Sequence, residues 1–340
     1  MHRNKPYTMI QQQGNKEGQT GKKLKVSVLV PAYNEASSLP LLLEALNQVT
    51  EHIVDAKELK REYEWEFLII NDGSRDNTLD VLESLRQQDS RLHYINLSRN
   101  FGKENALMAG FDYATGDCVI IMDADLQHPV SAIPEMLQKW EEGFDDVYGK
   151  RLTRGKESFL RKRLSLAYYS LLQKSTRIDI LPNVGDFRLL DRRCIDTLRS
   201  LRETQRNTKG LLSWIGFKKT GVDFETQNRV AGTSSFNLRS LMRLAIEGIT
   251  GFTTAPLRFA TILGLLVSFI AFIYIIVILC KTIFCGEIVQ GYPTLMCVIL
   301  FLGGCQLLAI GIIGEYIGRI FNESKHRPIY IAENYDGKKL

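Results

Sequence analysis

Two stretches near the C-terminal end, residues 259–280 and 291–314, contain no Asp, Glu, Lys or Arg. A helix rises about 1.5 Å per residue and a bilayer core is about 30 Å thick, so each stretch is long enough to cross one. Backbone polar groups must be satisfied internally at that depth, which makes a helix the expected conformation. A soluble core rarely needs two such runs in tandem. The connection, residues 281–290, is short and carries only Lys281 and Glu287, whereas the flanks carry Arg239, Arg243, Arg258, Arg319, Lys325 and Arg327. Cytoplasmic loops are the ones enriched in Lys and Arg. The expected topology is therefore a hairpin at 257–319, with spans at about 259–280 and 292–314. A cytoplasmic tail at 320–340 follows, and the short connection lies outside. This predicts a multi-pass protein of the inner (plasma) membrane, with both termini and the front of the chain cytoplasmic. Gly264, Gly303, Gly304, Gly311 and Gly314 would let helices approach closely within the hairpin or between subunits.

Just upstream, residues 236–252 mix Leu238, Leu241, Met242, Leu244, Ile246 and Ile249 with Arg239, Arg243 and Glu247. This predicts an amphipathic juxtamembrane helix at 236–256 lying on the bilayer; an ordinary surface helix is the alternative. The first 23 residues are polar and Gln/Gly/Lys-rich with no apolar core of a signal peptide, so they are expected to be a disordered tail on the cytoplasmic side. The net charge of +5, from 43 basic and 38 acidic residues, is too mild to argue for nucleic acid. The six cysteines show no CxxC spacing, so they read as small hydrophobes, not a disulfide frame or zinc site.

Residues 24–235 alternate strand and helix. Strands are predicted at 25–30, 66–71, 92–97, 117–122 and 146–150, and helices at 39–49, 78–88, 103–114 and 130–142. Such alternation argues for an α/β fold with a parallel, doubly wound sheet and ligands beyond the strand C-termini. Polar motifs follow each of the first four strands: Asn34-Glu35, Asn71-Asp72-Gly73-Ser74, Arg99-Asn100 and Asp123-Ala124-Asp125. They should converge on one edge of the sheet. Asp123 and Asp125 leave their strand two residues apart, and like charges that close are unfavourable unless a cation or donor network lies between them. A hard divalent ion shared with substrate phosphates would satisfy them; a solvated acidic turn is the other reading. There is no Gly-x-Gly-x-x-Gly and no phosphate-binding Walker loop, which weakens dinucleotide and P-loop readings.

Four pieces taken together, Val30-Pro-Ala-Tyr-Asn-Glu35, Asn71-Asp-Gly-Ser74, Ser98-Arg-Asn-Phe-Gly-Lys103 and Asp123-Ala-Asp-Leu-Gln-His-Pro129, resemble inverting family-2 glycosyltransferases of GT-A fold. Gly185-Asp-Phe-Arg-Leu-Leu-Asp191 and Arg229-Val-Ala-Gly232 resemble the polyisoprenyl-phosphate subgroup, which includes dolichyl-phosphate mannosyltransferase and the bactoprenol glucosyltransferases. The resemblance covers roughly residues 24–319. One departure is Ser235, where these enzymes often carry Lys; either Arg229 or a neighbour such as Arg239 substitutes for that cation or the substrate preference differs.

The resemblance implies roles. Pro31, Tyr33, Asn34, Glu35, Asp72, Ser74, Asn100, Lys103 and Asp123 would bind the nucleotide sugar. Asp125, with Asp123 and Gln127, would hold Mg²⁺ or Mn²⁺ on the diphosphate, and His128 reads as a turn residue, not a ligand. Asp186 occupies the position marked as catalytic, either as base or as organiser, beside Asp123 and Asp125. Arg151, Arg188 and Arg229 would receive the acceptor phosphate, with Arg154 a weaker candidate. The implied reaction is inverting transfer from a nucleotide-diphosphate sugar, UDP-linked for preference, to polyprenyl (undecaprenyl) phosphate, giving a lipid-linked monosaccharide for the cell envelope. The resemblance also implies a homo-oligomer. A processive polysaccharide synthase is the enzymatic alternative, but it needs more spans and a Gln-x-x-Arg-Trp motif, which Gln205-Arg206-Asn207 is not. A non-catalytic membrane partner retaining the fold is the other; intact Asp123 and Asp125 argue against it.

Overall fold

The computed structural model describes residues 23–55, 59–151, 184–204, 206–225, 255–285 and 291–340. Most of the expected N-terminal tail, Arg154, Arg229, Ser235 and the juxtamembrane segment as far as residue 254 lie outside the described residues.

The centre of the molecule is a parallel block of four strands: β1 (Leu24–Ala32), β2 (Tyr63–Asn71), β3 (Leu92–Leu97) and β4 (Cys118–Ile121). Strands covered on both faces read as continuous apolar runs, and β1, LKVSVLVPA, is such a run. Its alternation sorts side chains between two cores. Val26, Val28 and Val30 pack with α1 (Leu39–Asp55), α2 (Thr78–Gln88) and α4 (Ile133–Glu141). Leu29 points the other way, into a cluster with α3 (Lys103–Tyr113), α5 (Arg192–Ser200) and α6 (Thr208–Trp214). Helix α3 lies so close to β1 that a Cβ at Gly110 would sit 2.1 Å from Leu29 Cδ1. That intimacy holds the start of α3 at the C-terminal ends of the strands.

The sheet departs from the all-parallel expectation. The strands β5 (Asp146–Arg151), β6 (Val184–Asp191), β7 (Lys219–Phe224), β8 (Ala332–Tyr335) and β9 (Lys338–Lys339) complete nine, in the order β7-β5-β6-β4-β1-β2-β3-β8-β9. Strand β6 inserts antiparallel between β4 and β5, while β5 and β7 are parallel. The connection from β5 to β6, residues 152–183, lies outside the described residues. A buried ion pair, Arg188 Nη1 to Asp146 Oδ2 at 2.6 Å, ties β6 to β5. Asp191 joins the layers, accepting from Trp140 Nε1 of α4 at 2.8 Å and capping α5 through Arg193 N–H at 3.0 Å.

Two long helices follow, α7 (Ala255–Cys285, 31 residues) and α8 (Tyr292–Ser324, 33 residues), and they pack against each other. Their large apolar side chains are exposed, among them Phe269, Phe272, Phe301 and Leu307. The stretch Phe301–Ser324 is long and apolar enough to cross a membrane, and Phe259–Tyr274 is a shorter apolar one. Helix α8 runs on past residue 314, where the span was expected to end, as far as Ser324.

The expected tail at 320–340 is not a simple appendage. It returns to the front domain as β8, which pairs antiparallel with β3, and β9 closes a hairpin. Asp336 and Gly337 both have positive φ, 47° and 75°, as a two-residue primed turn requires. The Asp336 carboxylate accepts from Tyr94 N–H at 2.9 Å and Arg86 Nε at 3.2 Å, and meets His93 Nδ1 at 2.7 Å. The Tyr335 ring stacks on both His93 and Tyr113. This addition pairs the free edge of β3, which would otherwise be open to other chains. Asp336→Asn keeps a residue that tolerates the turn but removes the charge. It should lower unfolding stability by about 1–2 kcal/mol, read as a reduced thermal midpoint of the purified protein in detergent; an unchanged midpoint would count against the clamp.

Candidate active site

The strand-end motifs do converge. A cavity of about 440 Å³ is lined by Pro31 at the end of β1, Tyr33 and Glu35 after it, Asp72 after β2, Asn100 and Lys103 after β3, and Asp123 and Asp125 after β4. Gly102, Ala32, Ala106 and Ala124 complete its wall, small residues whose lack of bulk leaves the space open.

Several expected donor-binding residues hold the loops that shape this cavity. Asn34, at φ 57°, donates its N–H to Ser74 Oγ at 2.9 Å and accepts from Arg75 N–H at 2.8 Å. Ser74 in turn donates to Asn71 Oδ1 at 2.6 Å, and Asn71 donates to Asn96 at 2.8 Å. Asn34 and Ser74 thus tie the ends of β1 and β2 together and do not line the cavity. Asp72 lines it, but its two oxygens already accept the N–H groups of Phe101 at 2.7 Å and Gly102 at 2.9 Å. Burial pushes its carboxyl upward, against the pull of those two donors. Gly73, at φ +63°, lets the next loop close down, since a Cβ there would stand 2.3 Å from the Arg99 carbonyl carbon. Asp72 and Gly73 therefore aim the segment that carries Lys103.

The turn after β4 is equally constrained. Leu126 takes φ 60°, Asp125 Oδ1 accepts from Gln127 N–H at 3.1 Å, and Asp123 N–H donates to His128 Nδ1 at 3.1 Å. An accepting Nδ1 means a neutral ring with its proton on Nε2. His128 is buried, stacked on Phe187 with centroids 5.0 Å apart, and burial pushes its pKa down. It is a turn residue, as expected, and also the pin that fixes Asp123.

Charge decides the rest. Lys103 Nζ donates to Asp123 Oδ1 at 2.5 Å and to Asp186 Oδ2 at 2.6 Å. Its two carboxylates hold its pKa well above the usual lysine value, against the desolvation that would lower it. Lys209 of α6 reaches the other Asp186 oxygen, Oδ1, at 3.4 Å. Burial would raise the Asp186 carboxyl, but Lys103 and then Lys209 hold it down at about 2. Glu35 is displaced the other way, first by burial and then by the charges of Asp125 and Asp123, with Ser38 opposing. Lys209 escaped the sequence reading because it lies on a separate element with no motif of its own.

Arg188, expected to receive a phosphate, is instead buried in the sheet against Asp146, with its guanidinium 5.7 Å from the Tyr148 ring centroid. Desolvation makes such a pair costly to open, so this placement removes Arg188 from the acceptor site. Arg151 ends β5, and its buried Nε has no hydrogen-bond partner among the described residues. Its charge helps lower the His128 pKa. Among the described residues no three Asp, Glu, His or Cys groups form a ready metal cage. Two carboxylates, Asp123 and Asp125, still line one cavity and suit a hard divalent ion that takes most of its ligands from a bound diphosphate.

The depressed Asp186 pKa carries a sign. Its ion-pair stabilisation is complete above the ordinary value of 3.8 and lost as pH falls towards about 2. Lys103→Met removes the closer partner, so the acid loss should begin at higher pH. Midpoints at neutral pH should also fall by a few degrees. Thermal midpoints from pH 2 to 7 for both proteins measure this; superimposable profiles would refute the assignment.

Comparison with known proteins finds relatives over most of the chain. A family model described as glycosyl transferase family 2 matches residues 27–199, and one described as the GtrB C-terminal hairpin matches residues 255–320. The chain is 43% identical over 311 residues to a bactoprenol glucosyl transferase of Shigella phage SfV, covering 92% of this chain and 99% of that protein. It is 42% identical to a prophage bactoprenol glucosyl transferase homolog of Escherichia coli K12, covering 91% of this chain and 99% of that protein. It is also 42% identical to the putative glycosyltransferase CsbB of Bacillus subtilis, covering 91% of each chain.

Proposed function

The chain belongs to glycosyltransferase family 2 and is a glycosyltransferase, and from that premise we propose that it transfers a sugar from a nucleotide-diphosphate donor, UDP-linked for preference, to polyprenyl (undecaprenyl) phosphate. The product is a lipid-linked monosaccharide, formed with inversion and destined for cell-envelope glycan. The observation that carries this reading is the cavity in which Lys103 bridges Asp123 and Asp186 beside Asp125, in the same chain as two long apolar helices.

In this scheme Tyr33, Glu35 and Asn100 line the space for the nucleotide, and Asp72 keeps the Lys103 segment closed over the diphosphate end. Asp125, with Asp123 and Gln127, would hold Mg²⁺ or Mn²⁺, which supplies neutralisation of the charge on the departing diphosphate. An acceptor phosphate oxygen attacks the anomeric carbon as the bond to the diphosphate breaks and its electron pair leaves with that group. No strong base is called for. A phosphate monoester has its second pKa at about 6 and is largely dianionic at neutral pH. Asp186, held at about 2, is a far weaker proton acceptor than that phosphate and serves as organiser of Lys103.

Helices α7 and α8 form the membrane hairpin, with spans at about 259–280 and 292–314, the connection outside and both termini cytoplasmic. Their glycines, 264, 303, 304, 311 and 314, allow packing into a homo-oligomer. The sequence of the segment at 236–256, most of it outside the described residues, suits an anchor at headgroup height, where the lipid phosphate lies.

Membranes incubated with radiolabelled nucleotide sugars and undecaprenyl phosphate should move label into the lipid phase. Asp125→Asn should lower that transfer by about 100-fold or more, and an unaltered rate would sink the reading. The kcat/KM profile should show its acid limb near pH 6, from the acceptor's own ionisation; a limb that moves in Asp186→Asn would make Asp186 the base after all.

A further inference from the structure

Lys209 has no part in the reaction as set out above, yet it pairs with the residue at its centre. Asp186 has two cations, one at each oxygen. Lys103, on Oδ2, is shared with Asp123 and lines the donor cavity. Lys209, on Oδ1, is farther at 3.4 Å, is half-exposed at 46%, and does not line that cavity. It therefore holds the Asp186 oxygen that Lys103 leaves.

Its position is built. The segment before α6 is anchored to the C-terminal end of α8, where Thr204 N–H donates to Glu323 Oε2 at 3.1 Å. Asn207 caps α6 through Gly210 N–H at 3.1 Å. Thr208 binds Glu104 with both its N–H, at 2.9 Å, and its hydroxyl. Glu104 directly follows Lys103, so the two lysines are carried by elements locked to each other. The last residue of α6, Trp214, is exposed, an aromatic suited to a membrane–water interface. Arg188 is withdrawn into the sheet, whereas Lys209 stays half-exposed beside Asp186.

Resting on the proposed transfer to a lipid phosphate, we infer that Lys209 is the group that receives the acceptor phosphate and positions it beside Asp186. A loose, partly solvated contact to one carboxylate oxygen is exchanged at little cost. A phosphate carrying more than one negative charge is the stronger partner for a lysine point charge. Lys103, held by two carboxylates, stays with the donor side while Lys209 turns to the acceptor.

The test uses the purified full chain in detergent, with farnesyl phosphate as probe and farnesol as the uncharged control, both followed by direct binding. Lys209→Met should weaken farnesyl phosphate by about tenfold or more, leave farnesol and UDP affinities unchanged, and raise the KM for lipid phosphate without raising that for the nucleotide sugar. Lys209→Arg should recover most of the loss. Equal binding of farnesyl phosphate by Lys209→Met and wild type overturns the inference, as does an equal loss of farnesol, which would mark a packing defect. Wild type that binds farnesyl phosphate through Lys209 yet moves no sugar from any nucleotide donor would instead overturn the transferase-to-lipid reading and leave the phosphate site standing.

Discussion

The bridge from Lys103 to Asp123 and Asp186 is the contact on which the site depends. It joins the end of β4, the first turn of α3 and the start of β6, three elements from distant parts of the chain. Without it the cavity would hold Asp123, Asp125 and Glu35 with Asp186 close behind, and like charges at that spacing drive pKa values up and loops apart. The upward displacement of Glu35 shows how much negative field remains even with Lys103 in place. That residual field is what a cation carrying a diphosphate would neutralise.

Geometry around the bridge is enforced by groups outside the bridge itself. Asp72 pulls the Phe101–Gly102 backbone down. His128, pressed between Phe187 and Phe224, fixes the backbone of Asp123. Gly110 allows α3 to lie against β1, so that Lys103 begins its helix at the strand ends. These positions spend their polar or steric capacity on orientation, and such support keeps a charged first layer rigid.

Much of this was legible in the chain. Helix α2 and strand β3 run over the predicted residues, 78–88 and 92–97, because their apolar periodicity is unbroken and their ends carry turn-forming residues. The four strand-end motifs were expected on one edge, and eight of the nominated residues line one cavity. Three features were not legible. Arg188 read as an exposed phosphate ligand, but the antiparallel insertion of β6 turns it inward against Asp146. The C-terminal residues read as a tail, but Asp336-Gly337 is a hairpin turn whose partner strand lies more than two hundred residues earlier. Lys209 carried no motif at all.

The division follows from range. Periodicity, turn chemistry and apolar length are local properties, so the sequence alone determined the parallel centre, the polar strand ends and the long apolar helices. Pairing between a charge on one element and a charge on another depends on strand order and direction, which local pattern does not contain. Only the tertiary structure could decide that Lys103 and Lys209 share Asp186, that Arg188 is withheld, and that the end of the chain closes the sheet. Each is a long-range contact whose favourable energy appears only after the chain has closed the loop between its partners.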